Sequence, residues 1–581
     1  MATLEEKRHT LAHLLAAAVL ERFPHAKATI GPAIDNGFYY DFDFAGGATP
    51  GEGDLKALEN IMRNLLPSWN EMTGAEIAEG DARARFAENP YKLELIDGIA
   101  SAGEKITLYT AGTFTDLCRG GHSEDPSQDI ASDSFALERI AGAYWRGDEK
   151  NTMLTRIYGL AFETKEELEA YRVQQEEAKK RDHRKLGKEL DLFVFSDLVG
   201  PGMPLFTPRG TTVRGEIVRY SRELNRELGF GEVHTPNATK AELFKTSGHY
   251  DQYKDDMLSV SSQYVKDEMF LKPMNCPQHT QIYASRPRSY RDLPIRYADF
   301  AMLYRDERPG ELSGLTRLRA FAQDDGHIFC REEQVKDELL KVLAVIKRAL
   351  AVYKVEYWVR LSLRDPEKKE EYLGSDEDWA HSEQELRDVV EEAQVPHKPA
   401  LGEAAFYGPK LDIIAVDALG REWQISTIQV DRIQPARFEL EYSADDGSRK
   451  APVMIHRALV GSPDRFLGLL IEHYAGAFPT WLSPVQARVL PISDKHAAYA
   501  REVRDMLDLV NVRADADESS ESLGKKIRHA KQEKIPYLLV VGDAEMADGT
   551  LSVESRDKGK LDAMKVTDFV KHITKEIFER T

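Results

Sequence analysis

Between Phe300 and Cys330 the chain reads FAMLYRDERPGELSGLTRLRAFAQDDGHIFC, and these residue types suit recognition of a charged ligand. Gln323, Asp325 and His327 alternate, with Phe321 two residues further back. Residues two apart in a strand point to one face, so the spacing predicts that these side chains converge on one pocket. Arg305 and Glu307 lie before a loop containing Pro309, Gly310 and Gly314, and Arg317 and Arg319 follow it. Charges held beside such a face need a partner. Arginine meets phosphate or carboxylate with two parallel hydrogen bonds. A solvated surface hairpin would account for the arginines alone, but not for polar alternation beside a phenylalanine.

Two more sets of chemically capable residues stand elsewhere. His9 and His13 are four apart and share a face of an amphipathic helix expected over Leu4 to Phe23, and Cys118 stands four before His122 in DLCRGGH. Ligand type and number suit zinc. Residue type alone leaves metal and non-metal uses equally open. Cys276 in FLKPMNCPQH, His327, and His456 in PVMIHRA form no set by spacing, and each taken alone reads as a core or surface residue.

These residues need elements to position them. A chain of 581 residues has room for three to four domains. Its 42% hydrophobic and 30% charged content is that of a water-soluble globular protein, and no apolar run reaches the roughly 18 residues that span a bilayer. The polar start MATLEEKRHT is no secretory signal. Three scattered cysteines suggest a reducing cytoplasmic setting. A net charge of −20 argues against nonspecific nucleic-acid binding, though local basic patches could still engage an RNA.

The Phe300–Cys330 stretch resembles motif 2 of class II aminoacyl-tRNA synthetases in the form found in the threonyl-tRNA synthetase family, where the closing strand reads R-x-F-x-Q-D-D-x-H-I-F; here it is R-A-F-A-Q-D-D-G-H-I-F. The helix TTVRGEIVRYSRELNRELGF with the strand GEVHTP, ending at Pro236, is similar to motif 1, which implies a homodimer interface. VMIHRALVGSPDRFLGLLIEHYAGAFPTWL is similar to motif 3. The resemblance covers most of the chain. It implies an α+β multidomain protein: a class II antiparallel-sheet catalytic core, an N-terminal α+β editing domain and a C-terminal α/β anticodon-binding domain. The expected boundaries are 1–160 for editing, 161–190 for a single charged linker helix, 191–483 for catalysis and 484–581 for anticodon binding. Family members of bacterial type usually carry a small ubiquitin-like domain first; the chain is expected to lack it and to bind tRNA less tightly.

The resemblance also assigns roles. Cys276, His327 and His456 become ligands of one zinc per subunit with an open fourth position, the pattern of a catalytic site. Arg305 would hold the α-phosphate of ATP, Glu307 the adenine amino group and Phe321 the base, with Arg317, Gln424 and Arg465 completing the ATP site and Mg2+ accompanying the nucleotide. Gln323, Asp325, Tyr407 and Gln429 would line the L-threonine pocket. His249 would help remove the ribose hydroxyl proton during transfer. Gln424 and Gln429 are five apart, so they share a strand face only across a bulge or turn. Arg432 stands where the family usually has phenylalanine, so packing beside the pocket is expected to differ.

In the N-terminal domain, His9, His13, Cys118 and His122 match the family's editing set, which hydrolyses Ser-tRNA(Thr) by acid/base chemistry without metal; Lys92 and Asp116 match positions for the adenosine end and the serine. GPAIDNGFYYDFDF is a further match, expected as strands around a turn at Asn36-Gly37. From Pro484 onward, strands alternate with helices, which implies an α/β layer. There Lys525, Lys526 and Arg528 are expected to form a basic helix face, and Lys525, Arg528, Glu545 and Arg556 to meet the anticodon. A prolyl or seryl synthetase is the rival within the class, and the Cys276/His327/His456 and editing sets oppose it. A non-catalytic RNA-binding derivative is the rival outside it, and the retention of Arg305 and Arg465 opposes that. The implied partners are ATP, L-threonine, tRNA(Thr) and a second subunit, with no membrane.

Overall fold

The computed structural model describes residues 2–581, which fall into two compact units, one running to Glu176 and the other Glu177–Thr581. In the first unit the helix Leu4–Arg22 begins with a capping box in which Thr3 and Glu6 satisfy each other's backbone N–H groups. Its apolar side packs on Phe38, Tyr40 and Phe42. These belong to the strand Gly37–Asp43, which pairs with Met153–Ala161 in a five-stranded sheet. A three-stranded sheet, Met72–Glu76, Thr107–Ala111 and Phe114–Leu117, completes the unit. The turn expected at Asn36-Gly37 falls one residue earlier, at Asp35-Asn36, because Ile34 pairs with Gly37. Gly37 is required for another reason: a Cβ there would stand 1.9 Å from the Gly159 carbonyl oxygen on the next strand.

The expected single linker helix is two helices, Lys165–Arg181 and His183–Glu189. Asp182 takes a non-helical conformation (φ −47°, ψ 120°) and its carboxylate caps the second helix through the Arg184 N–H, so the first cannot continue. The boundary between the units lies inside the first of these helices.

The second unit is built on an eight-stranded sheet that is antiparallel except at its two edges. Its central strands run in the order Ile295–Tyr304, Ala320–Cys330, Val453–Ala458, Glu422–Asp431 and Lys410–Val416. The helices Pro208–Glu227, Val335–Val352 and Pro463–His473 contribute to the core behind it. The strand expected in GEVHTP is only Gly231–Glu232. Beyond residue 486 a six-stranded sheet pairs Ala514–Ala516, Ala487–Pro491 and Tyr537–Val541 in parallel and adds Thr550–Ser555 antiparallel. A short helix, Asp543–Asp548, stands between the last two and was not expected from the strand–helix alternation.

One face of the helix Pro208–Glu227 is tied to the C-terminal domain at seven-residue intervals. Arg209 pairs with Glu533 at 2.5 Å, Glu216 with Arg513 at 2.8 Å, and Glu223 with Arg580. Two turns of helix separate successive rungs, so the rungs lie almost in line. Each pair is partly shielded from water. Replacing Glu216 and Arg513 by alanine, singly and together, should give a coupling of about 1 kcal/mol in a double-mutant unfolding cycle. Strictly additive losses would mean that this rung contributes nothing.

Candidate functional site

The central strands bring the dispersed residues together by register. His327 pairs with His456, and His456 pairs with Gln429, so the three form one row across the sheet. The row behind places Asp325 opposite Ala458, and Ala458 opposite Thr427. A register shift between Ile413 and Ile414 makes Ile414 face Gln424 and leaves Ile425 unpaired. That bulge puts Gln424 and Gln429 on the same face, as their five-residue spacing requires.

The ligand atoms of Cys276, His327 and His456 all lie within 4.8 Å of one another, although 51 and 129 residues of sequence separate the histidine ring nitrogens from their partners. His327 Nε2 is 3.0 Å from His456 Nδ1. Behind them, His456 Nε2 meets the Asp431 carboxylate at 2.9 Å, and His327 Nδ1 meets His279 Nδ1 at 2.7 Å. These are outer partners of the kind that orient metal-bound imidazoles. Burial first, and then His279 and His456, hold His327 well below its usual pKa, so it is a neutral imidazole. Burial, with Asp325 and Asp431 adding, pushes the Cys276 thiol well up. One thiol and two imidazoles, each aimed at a common point with far sides already supported, fit a zinc ion. His279 and Asp431 were missed in the sequence; strand register brings Asp431 to the ligands, and the helix Cys276–Ala284, which also carries Cys276, brings His279.

This row forms the floor of a cleft with two connected lobes, of about 710 and 430 Å3. The first holds His249, Cys276, Asp325, Tyr407, Gln429 and His456. Tyr407 donates to Gln429 Oε1 at 2.5 Å. Burial, ahead of His456 and Arg437, lowers His249 to about 3, and its Nδ1 lies 2.8 Å from Ser247 Oγ. His249 is therefore neutral and a weak base. The second lobe holds Phe321, Gln424, Ser462 and Arg465, and Arg305 lines both lobes.

Arg305 and Arg465 are distinctive in what they lack. Among the described residues neither guanidinium has an ion pair or a side-chain hydrogen bond; Arg305 lies over the Phe321 ring at 5.2 Å. Arg465 sits in the first turn of the helix Pro463–His473, which Ser462 caps. Desolvation in the cleft, and then repulsion from Arg305 and Arg317, lower its pKa. Two cations held in no ion pair in a cleft are a site for an anion. By contrast, Glu307 is engaged by Arg317 at 2.7 Å, so these two expected ATP contacts occupy each other. Arg432 is held among Glu332, Glu385 and Ser382, which explains how the position accepts a charge.

The four residues of the N-terminal set also converge, with ligand atoms within 4.8 Å. His122 Nε2 is 3.1 Å and His9 Nε2 3.5 Å from Cys118 Sγ, while His9 Nδ1 is 3.2 Å from the Gly121 carbonyl. Asp116 lies beneath them, 2.5 Å from Lys92 Nζ, 3.1 Å from His13 Nδ1 and in contact with the Tyr40 hydroxyl. Lys92 and Asp116 are 2% and 3% exposed, so both support the site from below rather than opening onto it. Burial opposes charge on His13, but Asp116 and Cys118 outweigh it and raise its pKa to about 9. Burial likewise opposes the Cys118 thiolate, yet His122, His13 and His9 lower its pKa to about 3. Tyr40 was missed in the sequence.

In the C-terminal domain the expected basic face is smaller than predicted. Lys526 turns inward and donates to the carbonyls of Asp517 and Pro491 at 2.8 and 3.4 Å, since successive helix residues diverge by about 100°. Lys525 and Arg528 remain exposed. Glu545 caps its own helix at Gly542 and accepts from Ser552, and Arg556 is held by Asp557 and the Lys534 carbonyl.

Residues 259–474 match the family described as tRNA synthetase class II core domain (G, H, P, S and T), and residues 486–576 match the anticodon binding domain family. The chain is 48% identical over 576 residues to a threonine–tRNA ligase of Rubrobacter xylanophilus, covering 99% of this chain and 89% of that protein. It is 48% identical over 588 residues to a threonine–tRNA ligase of Gloeobacter violaceus, covering 100% and 93%. Among solved structures, the RNA binding domain of threonyl-tRNA synthetase from Cryptosporidium parvum aligns with a TM-score of 0.65 at 38% identity, over 68% of this chain and 98% of that one.

The geometry sets a test of its own. A thiol with a pKa near 3 stays a thiolate through the acid range, whereas an ordinary thiol protonates below about pH 8. Iodoacetamide at about pH 5 should therefore label Cys118 in metal-free protein, ahead of the buried Cys276 and Cys330. Labelling of Cys118 that begins only near pH 8 would show that the histidines do not hold the thiolate.

Proposed function

The chain belongs to the threonine–tRNA ligase family, and on that premise we propose how its two sites divide the work. The reaction is ATP-dependent ligation of L-threonine to tRNA(Thr). The observation that carries the site assignment is the pair of unpaired guanidiniums, Arg305 and Arg465, facing one cleft beside a buried Cys276/His327/His456 cluster. A threonine carboxylate oxygen attacks the α-phosphorus of ATP, and pyrophosphate leaves. This displacement needs neutralised charge and alignment more than proton transfer. Arg305 holds the α-phosphate and Arg465 the far phosphates and the adenine, with Phe321 beneath the base, Gln424 beside it, and Mg2+ arriving with the nucleotide. For Glu307 to take the adenine amino group, Arg317 must release it and turn to the phosphates.

Gln323, Asp325, Tyr407 and Gln429 hold the amino acid. A zinc ion held by Cys276, His327 and His456 would supply a Lewis acid for the threonine amino and hydroxyl groups. Valine lacks that hydroxyl, and an apolar pocket separates such isosteres poorly. In the transfer step a tRNA ribose hydroxyl attacks the acyl carbonyl, the bond from that carbon to the bridging phosphate oxygen breaks, and AMP leaves with the hydroxyl proton taken up on its phosphate. His249 is proposed to accept a hydrogen bond from that hydroxyl, since a group with a pKa near 3 cannot hold the proton.

Serine carries both groups that threonine offers and is one methyl smaller, a difference worth only about 1–3 kcal/mol. Removal after transfer is therefore assigned to His9, His13, Cys118 and His122, with Lys92 and Asp116 holding His13 in place. The charged His13 is suited to stabilise the developing oxyanion of the hydrolysed ester. The non-metal reading is kept because a Cys118 thiolate among imidazoles is already charge-balanced by His13. Homodimer formation is proposed through the helix and strand that resemble motif 1 and end at Pro236, together with the preceding segment, where Val194, Phe195, Leu198 and Leu205 are exposed. Lys525 and Arg528 are the proposed anticodon contacts, with Glu545 and Arg556 able to join only by leaving their present partners. No described helix is long and apolar enough to cross a membrane. Cytoplasmic activity suits the three free cysteines.

Arg305→Ala should abolish threonine-dependent pyrophosphate exchange, a loss of more than roughly 3 kcal/mol in the transition state. The variant should keep its fold and one zinc per chain, and Cys276→Ala should lose the metal. Near-normal exchange in the first variant, or unchanged zinc in the second, would sink the corresponding assignment.

Changing His9 and His13 together to alanine should leave threonine charging intact while Ser-tRNA(Thr) accumulates. Deacylation of added Ser-tRNA(Thr) at the parent rate would remove editing from this domain. Loss of deacylation in the parent on chelation would make these four residues a metal site.

A further inference from the structure

His183 lies outside both sites, yet both of its ring nitrogens are committed. It opens the helix His183–Glu189 and is 4% exposed. Its Nε2 is 2.9 Å from the Leu315 backbone nitrogen. A backbone N–H only donates, so Nε2 must be the unprotonated nitrogen and Nδ1 must carry the proton. Nδ1–H then donates to Glu472 Oε1 at 2.5 Å, and the His183 backbone N–H donates to the same oxygen at 3.0 Å. The other Glu472 oxygen takes Arg421 at 2.5 Å, and Arg421 is anchored on Asp417. Burial would lift the Glu472 pKa, but His183 and Arg421 keep it below the usual carboxylate value. Asp182 is taken up by Arg184, so this trio of acid, imidazole and acid has no atom left for a metal.

What His183 holds is the crest of the loop between Arg305 and Phe321. Leu315 is fully buried and lines the second lobe of the cleft with Phe321 and Arg465. Gly314 has a φ of +47°, and a Cβ there would stand 2.1 Å from His183 Nε2. On the other side, a Cβ at Gly468 would stand 3.2 Å from the Leu315 Cβ. Gly468 and Glu472 belong to the helix Pro463–His473, which also carries Arg465. The loop crest thus sits in a slot between an imidazole and a helix, with both approaches reduced to glycine.

We propose that His183 is a positioning residue for ATP: by accepting the Leu315 N–H and donating to Glu472, it fixes the loop after Arg305 against the helix that bears Arg465. One imidazole spans the two segments whose arginines must meet the same phosphates. Misplacement of about 1 Å at such a site is enough for a loss on the order of a hundredfold. The proposal rests on the assignment of ATP to the lobe containing Phe321 and Arg465.

Two isosteres separate the roles of the two nitrogens. In His183→Asn the amide can replace the Nδ1 donor but nothing reaches Leu315; in His183→Gln the amide oxygen can accept the Leu315 N–H. Pyrophosphate exchange measures KM separately for ATP and for threonine. The Asn variant should raise KM for ATP on the order of tenfold or more, with KM for threonine little changed, and the Gln variant should recover most of the loss. Gly314→Ala retains His183 but drives the loop from it, and should give the same ATP-selective defect; it decides the matter if His183→Asn does not fold. Equal rises in both KM values, or a folded Asn variant with parental KM for ATP, would overturn the proposal. Normal exchange in Arg305→Ala would instead remove the ATP assignment beneath it.

Discussion

Asp324 is a fully buried carboxylate, and the catalytic sheet is arranged around its satisfaction. Arg457 on the next strand pairs with it at 2.8 Å, Asn225 donates at 3.3 Å, and Ser221 donates as well. Arg457 is itself fully buried, lies over Phe230 at 4.1 Å and donates to Asn225 at 2.5 Å. Gly326 makes room for it, since a Cβ there would stand 2.5 Å from the guanidinium. Leaving such a charge unpaired costs about 3–5 kcal/mol. A slip of one residue in the strand Ala320–Cys330 would do so, and would also turn Gln323, Asp325 and His327 away from the cleft. The ion pair on the helix side of the sheet therefore guards the register that assembles the chemistry on the other side.

The two charged centres illustrate opposite uses of burial. Around Asp324 every charge is matched, so the cluster is structural. In the cleft, Arg305 and Arg465 are held in no ion pair, Glu307 acts on Arg305 only at a distance, and the repulsion that Arg305 and Arg317 exert on Arg465 is relieved when an anion arrives. Such preorganised, unspent charge is what stabilises a phosphate in transition. The N-terminal site balances its own charge, with Cys118 ionised and His13 protonated over Asp116. It is thus prepared for proton handling rather than for capture of an anion. In the proposed function the selectivity problem links the two: a pocket that recognises an amino group and a hydroxyl would admit serine, and a second, hydrolytic site would answer that.

Motif-scale features were legible because they are local. Alternation placed Gln323, Asp325 and His327 on one face, and the four-residue spacing placed His9 and His13 together. The spacing of Gln424 and Gln429 even demanded the bulge that occurs at Ile425. Failures occurred where a local pattern depended on a distant partner. Lys526 looked like part of a charged face until the strand ending at Pro491 offered its carbonyl, and one charged run became two helices because Asp182 found an N–H to cap.

By itself, then, the sequence determined the class of chemistry and the periodic faces that carry it, since residue types and short spacings are properties of the chain alone. It could not determine which distant groups satisfy which. His279 and Asp431 behind the zinc-type ligands, Arg457 against Asp324, and His183 between Leu315 and Glu472 are choices made by strand register and helix packing. Burial makes each of those choices compulsory, because a polar group removed from water must find its partner among whatever residues the fold brings within about 3 Å.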